Sequence, residues 1–278
     1  MVRGLFGLLL FVGMSEGSRH AAGRARHAPL GASSICFVHV AQRRILHDEY
    51  FKKAKAEGYV ARSAYKLLEI QDRCKVIRPG DRVLDLGCAP GSWLQVVEKI
   101  ACATTRSGRP GAVVGIDLCE TTAPLGPRAV TLRGDAFTTP IAEYAEALAS
   151  ITGAREPLDA SAGLFNVILS DMAPSTSGHG DDLLSARLCR RVLDVAMDAI
   201  VPNGNLVMKI LEGAEYPDVL RETKAMFRDA KGFKPKSSRD VSREMFIIGL
   251  GFKAARNLTH KPHPGARDDA AGRMGDGA

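Results

Sequence analysis

The sequence predicts an α/β protein built on a doubly wound, mostly parallel sheet with helices on both faces. Short apolar runs alternate with amphipathic stretches all the way from His47 to Lys253. The first three apolar runs each carry an aspartate at or near their end. At 278 residues, 45% of them hydrophobic and 25% charged, the chain is long enough to bury one large core.

Asp81–Gly87 (D-R-V-L-D-L-G) reads as a buried strand ending in Asp and Gly, and Ser92–Ala101 after it has helical periodicity. Ala112–Leu118 is a second strand, Ala129–Asp135 a third and weaker one, and Phe165–Met172 (F-N-V-I-L-S-D-M) a fourth. Between the third and fourth, Pro140–Ala162 looks like an inserted helix and loop. Asp181–Ile200 predicts a helix, with Leu183, Leu184, Leu188, Val192, Val195 and Ala199 on one face. Pro202-Asn203-Gly204 is a turn, Asn205–Leu211 a fifth strand, Tyr216–Ala230 a helix and Arg243–Phe252 a final strand. No repeat and no second domain is visible.

The flanks differ in composition. Residues 1–46 carry six arginines, Arg3, Arg19, Arg24, Arg26, Arg43 and Arg44, against one acid, Glu16, and no lysine. Arg-rich, acid-poor composition suits a transit peptide, with a mitochondrion the expected address and a plastid-type organelle, the cytoplasm or the nucleus the alternatives. The run Leu5–Val12 also resembles a secretory core, so a bipartite address is an alternative; the run is too short to span a bilayer. Residues 254–278, rich in Gly, Ala, Arg and His without periodicity, read as a disordered basic tail. The division is therefore 1–46 extension, 47–253 folded domain and 254–278 tail.

A formal charge of +7 favours a polyanionic partner. Cys36, Cys74, Cys88, Cys102, Cys119 and Cys189 have no metal-ligand spacing and suggest reduced thiols, so neither a disulfide framework nor a structural metal is expected.

The strongest local signal is Asp85-Leu-Gly-Cys-Ala-Pro-Gly-Ser-Trp93, between a strand and a helix. Gly87 and Gly91 let the backbone turn tightly, and the helix aims its first amides into the turn. The spacing is neither the dinucleotide fingerprint nor a phosphate-binding loop. Asp117, in G-I-D-L, is placed to accept from ribose hydroxyls, and Asp135, in R-G-D-A-F, to meet an adenine amino group. Each aspartate alone reads more readily as a cap or turn residue. Three on successive strands favour a nucleoside site. Trp93 and Phe137 offer apolar surface and nothing is supplied for a pyrophosphate, which suits a methionine-bearing nucleoside.

Four further residues stand out: Lys66 in S-A-Y-K-L, Asp171 in S-D-M-A-P, Lys209 in L-V-M-K-I and Glu244 in S-R-E-M-F. Lys209 interrupts an apolar strand, where an unpaired ammonium is costly, so it needs an acidic partner or an uncharged state. Separately, Lys66 reads as a solvated helix residue, Glu244 as a cap and Lys209 as a lysine reaching past the sheet to water.

In this order and these settings the residues resemble the FtsJ (RrmJ-like) family of ribose 2′-O-methyltransferases, from about His47 to Lys253. D-L-G-C-A-P-G-S-W looks like that family's cofactor loop, I-L-S-D-M-A-P-S-T-S-G its fourth-strand motif, and K-P-K-S-S-R-x-x-S-R-E the stretch bearing its last catalytic acid. The resemblance implies a Rossmann-like, mostly parallel seven-stranded sheet and S-adenosyl-L-methionine as methyl donor. It implies a catalytic tetrad Lys66, Asp171, Lys209 and Glu244, and a cofactor set of Asp85, Gly87, Pro90, Gly91, Trp93, Asp117, Asp135 and Asp171. Ser92 and Ser175 depart from the commoner Gly and Asn, and neither change removes a group the chemistry needs. A ribose hydroxyl must lose its proton to attack a sulfonium methyl. A lysine can take it only when uncharged, a form that burial and a like-charged neighbour favour. Lys209 is the expected base, Asp171 orients it, and Glu244 balances Lys66; no metal is required.

Arg43, Arg44, Lys52, Lys53, Lys55, Arg62 and Lys75 precede the proposed rim, and Lys231, Lys234, Lys236, Arg239 and Arg243 follow it. This favours a groove that tracks RNA phosphates over a merely solvated surface. Phe51, Tyr59 and Tyr65, interleaved with them, read either as base-stacking or as core residues. The motifs look most like the bacterial and mitochondrial branch that methylates a uridine of large-subunit ribosomal RNA. A tRNA ribose methyltransferase and a non-catalytic ribosome-assembly factor are the alternatives. No feature resembles an oligomer interface or a membrane anchor, so a monomer is expected.

Overall fold

Seven strands form one sheet in the order β3-β2-β1-β4-β5-β7-β6. The computed structural model describes residues 49–103, 110–154, 158, 162–174, 180–238 and 242–253. The expected leader and tail lie outside these. The chain runs α1 (Glu49–Ala56), α2 (Ala64–Cys74), β1 (Arg82–Leu86), α3 (Ser92–Ala101), β2 (Ala112–Asp117), β3 (Ala129–Arg133) and α4 (Ile141–Thr152). It continues with β4 (Phe165–Ser170), α5 (Asp181–Ala199), β5 (Ile200–Leu211), α6 (Tyr216–Met226), β6 (Phe227–Phe233) and β7 (Glu244–Phe252). β1 to β5 are parallel and β7 enters antiparallel between β5 and β6.

Strand parity divides the buried side chains between two cores. Leu84, Leu86, Val114, Ile116, Ile168, Leu206, Met208 and Ile210 face one of them, with α4, α5 and α6. Val83, Val113, Val167, Leu169, Val207 and Ile248 face the other, with α1, α2 and α3. Successive strand residues point to opposite faces. Each fully buried Leu, Ile or Val contributes about 1.5–3 kcal/mol, so the parity is strongly enforced. The same parity assigns polar residues. Asp85 shares the face of Val83, Lys209 that of Val207, and Glu244 that of Phe246 and Ile248, all on the side covered by α2.

Three expectations are corrected. The helix expected over Tyr216–Ala230 stops at Met226, and Phe227–Phe233 forms an edge strand on β7, the one strand not read individually. Arg228, Asp229, Ala230 and Lys231 tolerate a helix locally. Pairing with β7 wins because it buries Phe227 completely, its ring lying where a Cβ on Gly249 would stand. The turn at Pro202-Asn203-Gly204 is an irregularity within β5: Phe165 pairs with Ile200 and Val167 with Asn205, while Asn203 adopts φ +66°. Finally, α4 is no insertion. It packs on β2 and β3 through the buried Tyr144 and Leu148 and is the crossover helix between β3 and β4.

Candidate active site

α2, the end of β4, β5 and β7 bring the four candidate catalytic side chains together. Lys209 pairs in register with Phe246 on β7 and Leu211 with Glu244, so the Lys209 and Glu244 side chains share one face two positions apart. α2 crosses that face and lowers Lys66 onto it. Lys66 Nζ donates to Glu244 Oε2 at 2.9 Å. Lys209 Nζ lies 3.8 Å from Glu244 Oε1 and 3.0 Å from Asp171 Oδ1, and donates to the Asp171 carbonyl at 2.6 Å. Both lysines are only 8% exposed. Two ammonium groups thus share two carboxylates in the order Lys66–Glu244–Lys209–Asp171. Burial pushes the Glu244 carboxyl up, but Lys66, then Lys209 and the Ser242 hydroxyl, hold it below its ordinary value.

Asp171 also lines a cleft of about 400 Å³ at the carboxyl ends of β1, β2 and β4, where open α/β sheets bind ligands. Gly87, Asp117, Asp135, Phe137 and Met172 line it too. Asp117 fastens the surrounding loops, accepting from the Ala89 amide at 2.9 Å and the Cys119 amide at 2.8 Å. Asp135 Oδ1 accepts from the Phe137 amide at 2.9 Å, and Arg187 lies 5.3 Å from the Phe137 ring. Gly87 (φ +80°) allows the loop to pass Met172, whose Cγ would overlap an added Cβ. Beneath the loop Asp85 is fully buried, and neither carboxylate oxygen has a hydrogen-bond partner among the described residues. Burial, with Asp171 and Asp117 adding to it, pushes this carboxyl well above the usual carboxylate range. Cys88 is no nucleophile: burial and Asp85 push its thiol up to about 12.

The model of the FtsJ-like methyltransferases matches residues 59–252, well over half of the chain. The chain belongs to this FtsJ-like family. Among curated relatives, a protein of Syntrophobacter fumaroxidans named ribosomal RNA large subunit methyltransferase E is 42% identical over 207 residues, 74% of this chain and 95% of its own. A protein of the same name from Methanobrevibacter smithii is 38% identical over 217 residues, covering 77% and 95%. A crystal structure described as a ribosomal RNA methyltransferase from Plasmodium falciparum superposes with a TM-score of 0.56 at 25% identity, over 70% of this chain and 98% of that one.

In this FtsJ-like methyltransferase the cofactor-loop residues fall at different depths. Of the residues expected to bind cofactor, Gly87, Asp117, Asp135 and Asp171 line the cleft, while Asp85, Pro90, Gly91 and Trp93 do not. The expectation that the Trp93 indole offers apolar surface to the ligand is not met. The indole is buried, donates from Nε1 to the Ser63 carbonyl at 2.9 Å and packs 5.8 Å from Phe246. What Trp93 can present is its amide. It lies in the first turn of α3, whose hydrogen-bond ladder begins only at the Gln95 amide to the Gly91 carbonyl. Gly91 (φ +108°) is needed for packing, because a Cβ there would stand 2.6 Å from Ala123 and Thr121. Pro90 anchors the same loop, its carbonyl accepting from the Thr122 and Ala123 amides. Leu118, Ala136 and Leu188 also line the cleft; Leu188 was read only as part of the apolar face of its helix, and nothing in the sequence distinguishes Leu118 and Ala136 from other apolar residues. Phe137 was singled out.

The lining of the cleft is chemically compatible with a methionine-bearing nucleoside: Asp117, Asp135 and Asp171 supply carboxylate acceptors, and Ile116, Leu118, Phe137 and Met172 supply apolar surface. Among the described residues no cluster of three or more His, Cys, Asp or Glu is arranged to hold a metal ion.

Proposed function

We propose that this methyltransferase uses S-adenosyl-L-methionine to methylate a ribose 2′-hydroxyl of large-subunit ribosomal RNA, with Lys66, Asp171, Lys209 and Glu244 as its catalytic residues. One observation carries the reading. Asp171 faces the cofactor cleft and also holds Lys209, so the paired lysines begin where the nucleoside site ends. When bound, the cofactor supplies a methyl group on a positively charged sulfur. Lys209 Nζ, aimed by the Asp171 carbonyl and carboxylate, would take the ribose hydroxyl proton after giving up a proton of its own, while the bond between sulfur and methyl breaks and the sulfur leaves neutral. Glu244 holds the Lys66 ammonium beside the ribose. Alignment of acceptor oxygen and methyl does most of the remaining work. The names of the relatives and the basic residues flanking the site support ribosomal RNA as substrate. The Arg-rich composition of residues 1–46 supports the mitochondrial ribosome as its setting.

Lys209→Ala tests the chemistry. It should lower methyl transfer by about 10²–10⁴-fold, the usual worth of a positioned base, with cofactor affinity almost intact. Substantial residual turnover removes Lys209 from that role. Mapping ribose methylation on total and organellar RNA after depletion of the protein tests the substrate: loss at a single large-subunit uridine is expected, and loss only in tRNA refutes it.

A further inference from the structure

A second cleft, of about 620 Å³, opens between α1, α2 and the end of β6, and none of the four proposed catalytic residues lines it. Its apolar surface is largely aromatic. Tyr50 and Phe233, both half-buried, line it together with Tyr65, which packs 5.4 Å from Tyr50 between ring centroids.

Four exposed cations line this cleft: Lys53, which pairs with Glu57, and three others, Arg73, Lys234 and Lys236. Among the described residues none of the three has an acidic partner. Each acid that shares the cleft has a partner of its own. Glu57 lies 3.9 Å from Lys53 and Asp72 3.2 Å from Lys75. Glu69 spends its carboxylate on the Lys236 and Ser237 amides, at 2.6 and 2.9 Å. Those two bonds, with Arg62 donating to the Ser237 carbonyl at 2.8 Å, clamp the segment after β6 against α2. The two lysines are therefore presented on a fixed strap.

The position matters as much as the lining. Tyr65 and Leu68 share α2 with Lys66, so the cleft begins within about one helical turn, 5.4 Å, of the Lys66–Glu244 pair. Across the sheet Phe233 pairs in register with Phe246, two residues beyond Glu244. A strand of nucleic acid placing one ribose at Lys209 must lay its neighbours on the surrounding surface, and this one is close by. Partly exposed aromatic side chains can take up a base, and cations beside them a phosphate. An acidic peptide would satisfy the cations and leave the rings without a flat partner.

We propose that this cleft binds a nucleotide of the substrate RNA strand adjoining the one methylated, its base against Tyr50 and Phe233 and its phosphate at Lys234, Lys236 and Arg73. The proposal rests on RNA being the substrate. The test is binding of a fluorescein-labelled, uridine-rich single strand of about 12 nucleotides to the full chain, read by anisotropy across a salt series, with methyl transfer measured in parallel. Lys234→Ala/Lys236→Ala should weaken binding about tenfold or more and reduce the salt slope by about 0.7, the single-strand value for the one phosphate that is no longer neutralised. Tyr50→Ala should weaken binding about five- to a hundredfold, the range for removing one base stack, with the salt slope unchanged. In both variants KM for RNA rises while kcat and cofactor affinity hold. Lys224→Ala, which removes an exposed charge on α6, should leave affinity within twofold. Affinity and KM within twofold of wild type in both cleft variants, with unchanged melting temperatures, would overturn the proposal. So would a variant-sensitive affinity for polyglutamate with none for RNA, which assigns the cleft to an acidic protein. Should the wild-type protein bind RNA but methylate none, the proposed activity fails, and the anisotropy series still judges the cleft.

Discussion

Neutralising Glu244 should destabilise the protein, and removing Lys66 as well should restore much of the loss without restoring activity. Lys66 Nζ stands 2.9 Å from Glu244 Oε2 with only 10% of its side chain exposed, and Lys209 is 3.8 Å from the other oxygen. In Glu244→Gln two nearly buried ammonium groups are left with Asp171 alone. Breaking a buried ion pair from one side costs about 3–5 kcal/mol. Since 24% of the Glu244 side chain reaches solvent, a loss of about 2–3 kcal/mol is expected. Lys66→Met/Glu244→Gln removes the stranded charge along with its partner, so the cycle of single and double variants should give a coupling of at least about 1 kcal/mol. Urea unfolding at neutral pH measures it. The pH dependence supplies an independent check. The Glu244 carboxyl is held below its ordinary value of 4.5, so its contribution is complete above that pH and is lost as pH falls through the lower folded value. Wild type should lose this increment in acid and Glu244→Gln should not. Costs that simply add, within about 0.3 kcal/mol, would refute the shared-charge arrangement.

Two further outcomes test the cofactor loop. Gly91→Ala combines a φ of +108° with a Cβ 2.6 Å from Ala123 and Thr121, on a loop tied to the Pro90 carbonyl. Strain and overlap together should cost about 2–4 kcal/mol and weaken calorimetric cofactor affinity, and an unchanged melting temperature contradicts this. Asp85→Asn addresses the buried carboxyl. Because its folded value is raised, Asp85 contributes most below the unfolded value of 3.8, and that contribution declines as pH rises towards the folded one. The stability difference between wild type and Asp85→Asn should therefore shift in favour of the variant from about pH 4 to pH 8, and a pH-independent difference sinks the reading.

Much of this site was legible in the sequence because its parts are local. The cofactor loop joins a strand to a helix in consecutive residues, and Asp117 and Asp135 announce themselves by closing apolar runs. Lys209 is conspicuous because an amine in a buried strand demands a partner. Elements whose form depends on a distant neighbour were harder to read. Phe227–Phe233 has no strand pattern of its own and becomes one only against β7. Trp93 looked like a wall of the nucleoside site because the sequence cannot say which way a side chain on the first turn of α3 points. Its indole follows the core, towards Phe246 and the Ser63 carbonyl. The aromatic cleft joins Tyr50, Tyr65 and Phe233 from opposite ends of the domain. Of these, only Tyr65 was read as a base-stacking candidate.

From its order of residues alone, then, this chain specified an α/β sheet, a glycine-bearing loop between a strand and a helix, a pair of lysines and a pair of acids, since hydrophobic period and residue chemistry are properties of short segments. Tertiary structure alone decided that Glu244 stands between the two lysines. That contact joins α2 to β5 and β7 across about 180 positions of chain, and it arises from sheet register and helix packing, which no local pattern encodes.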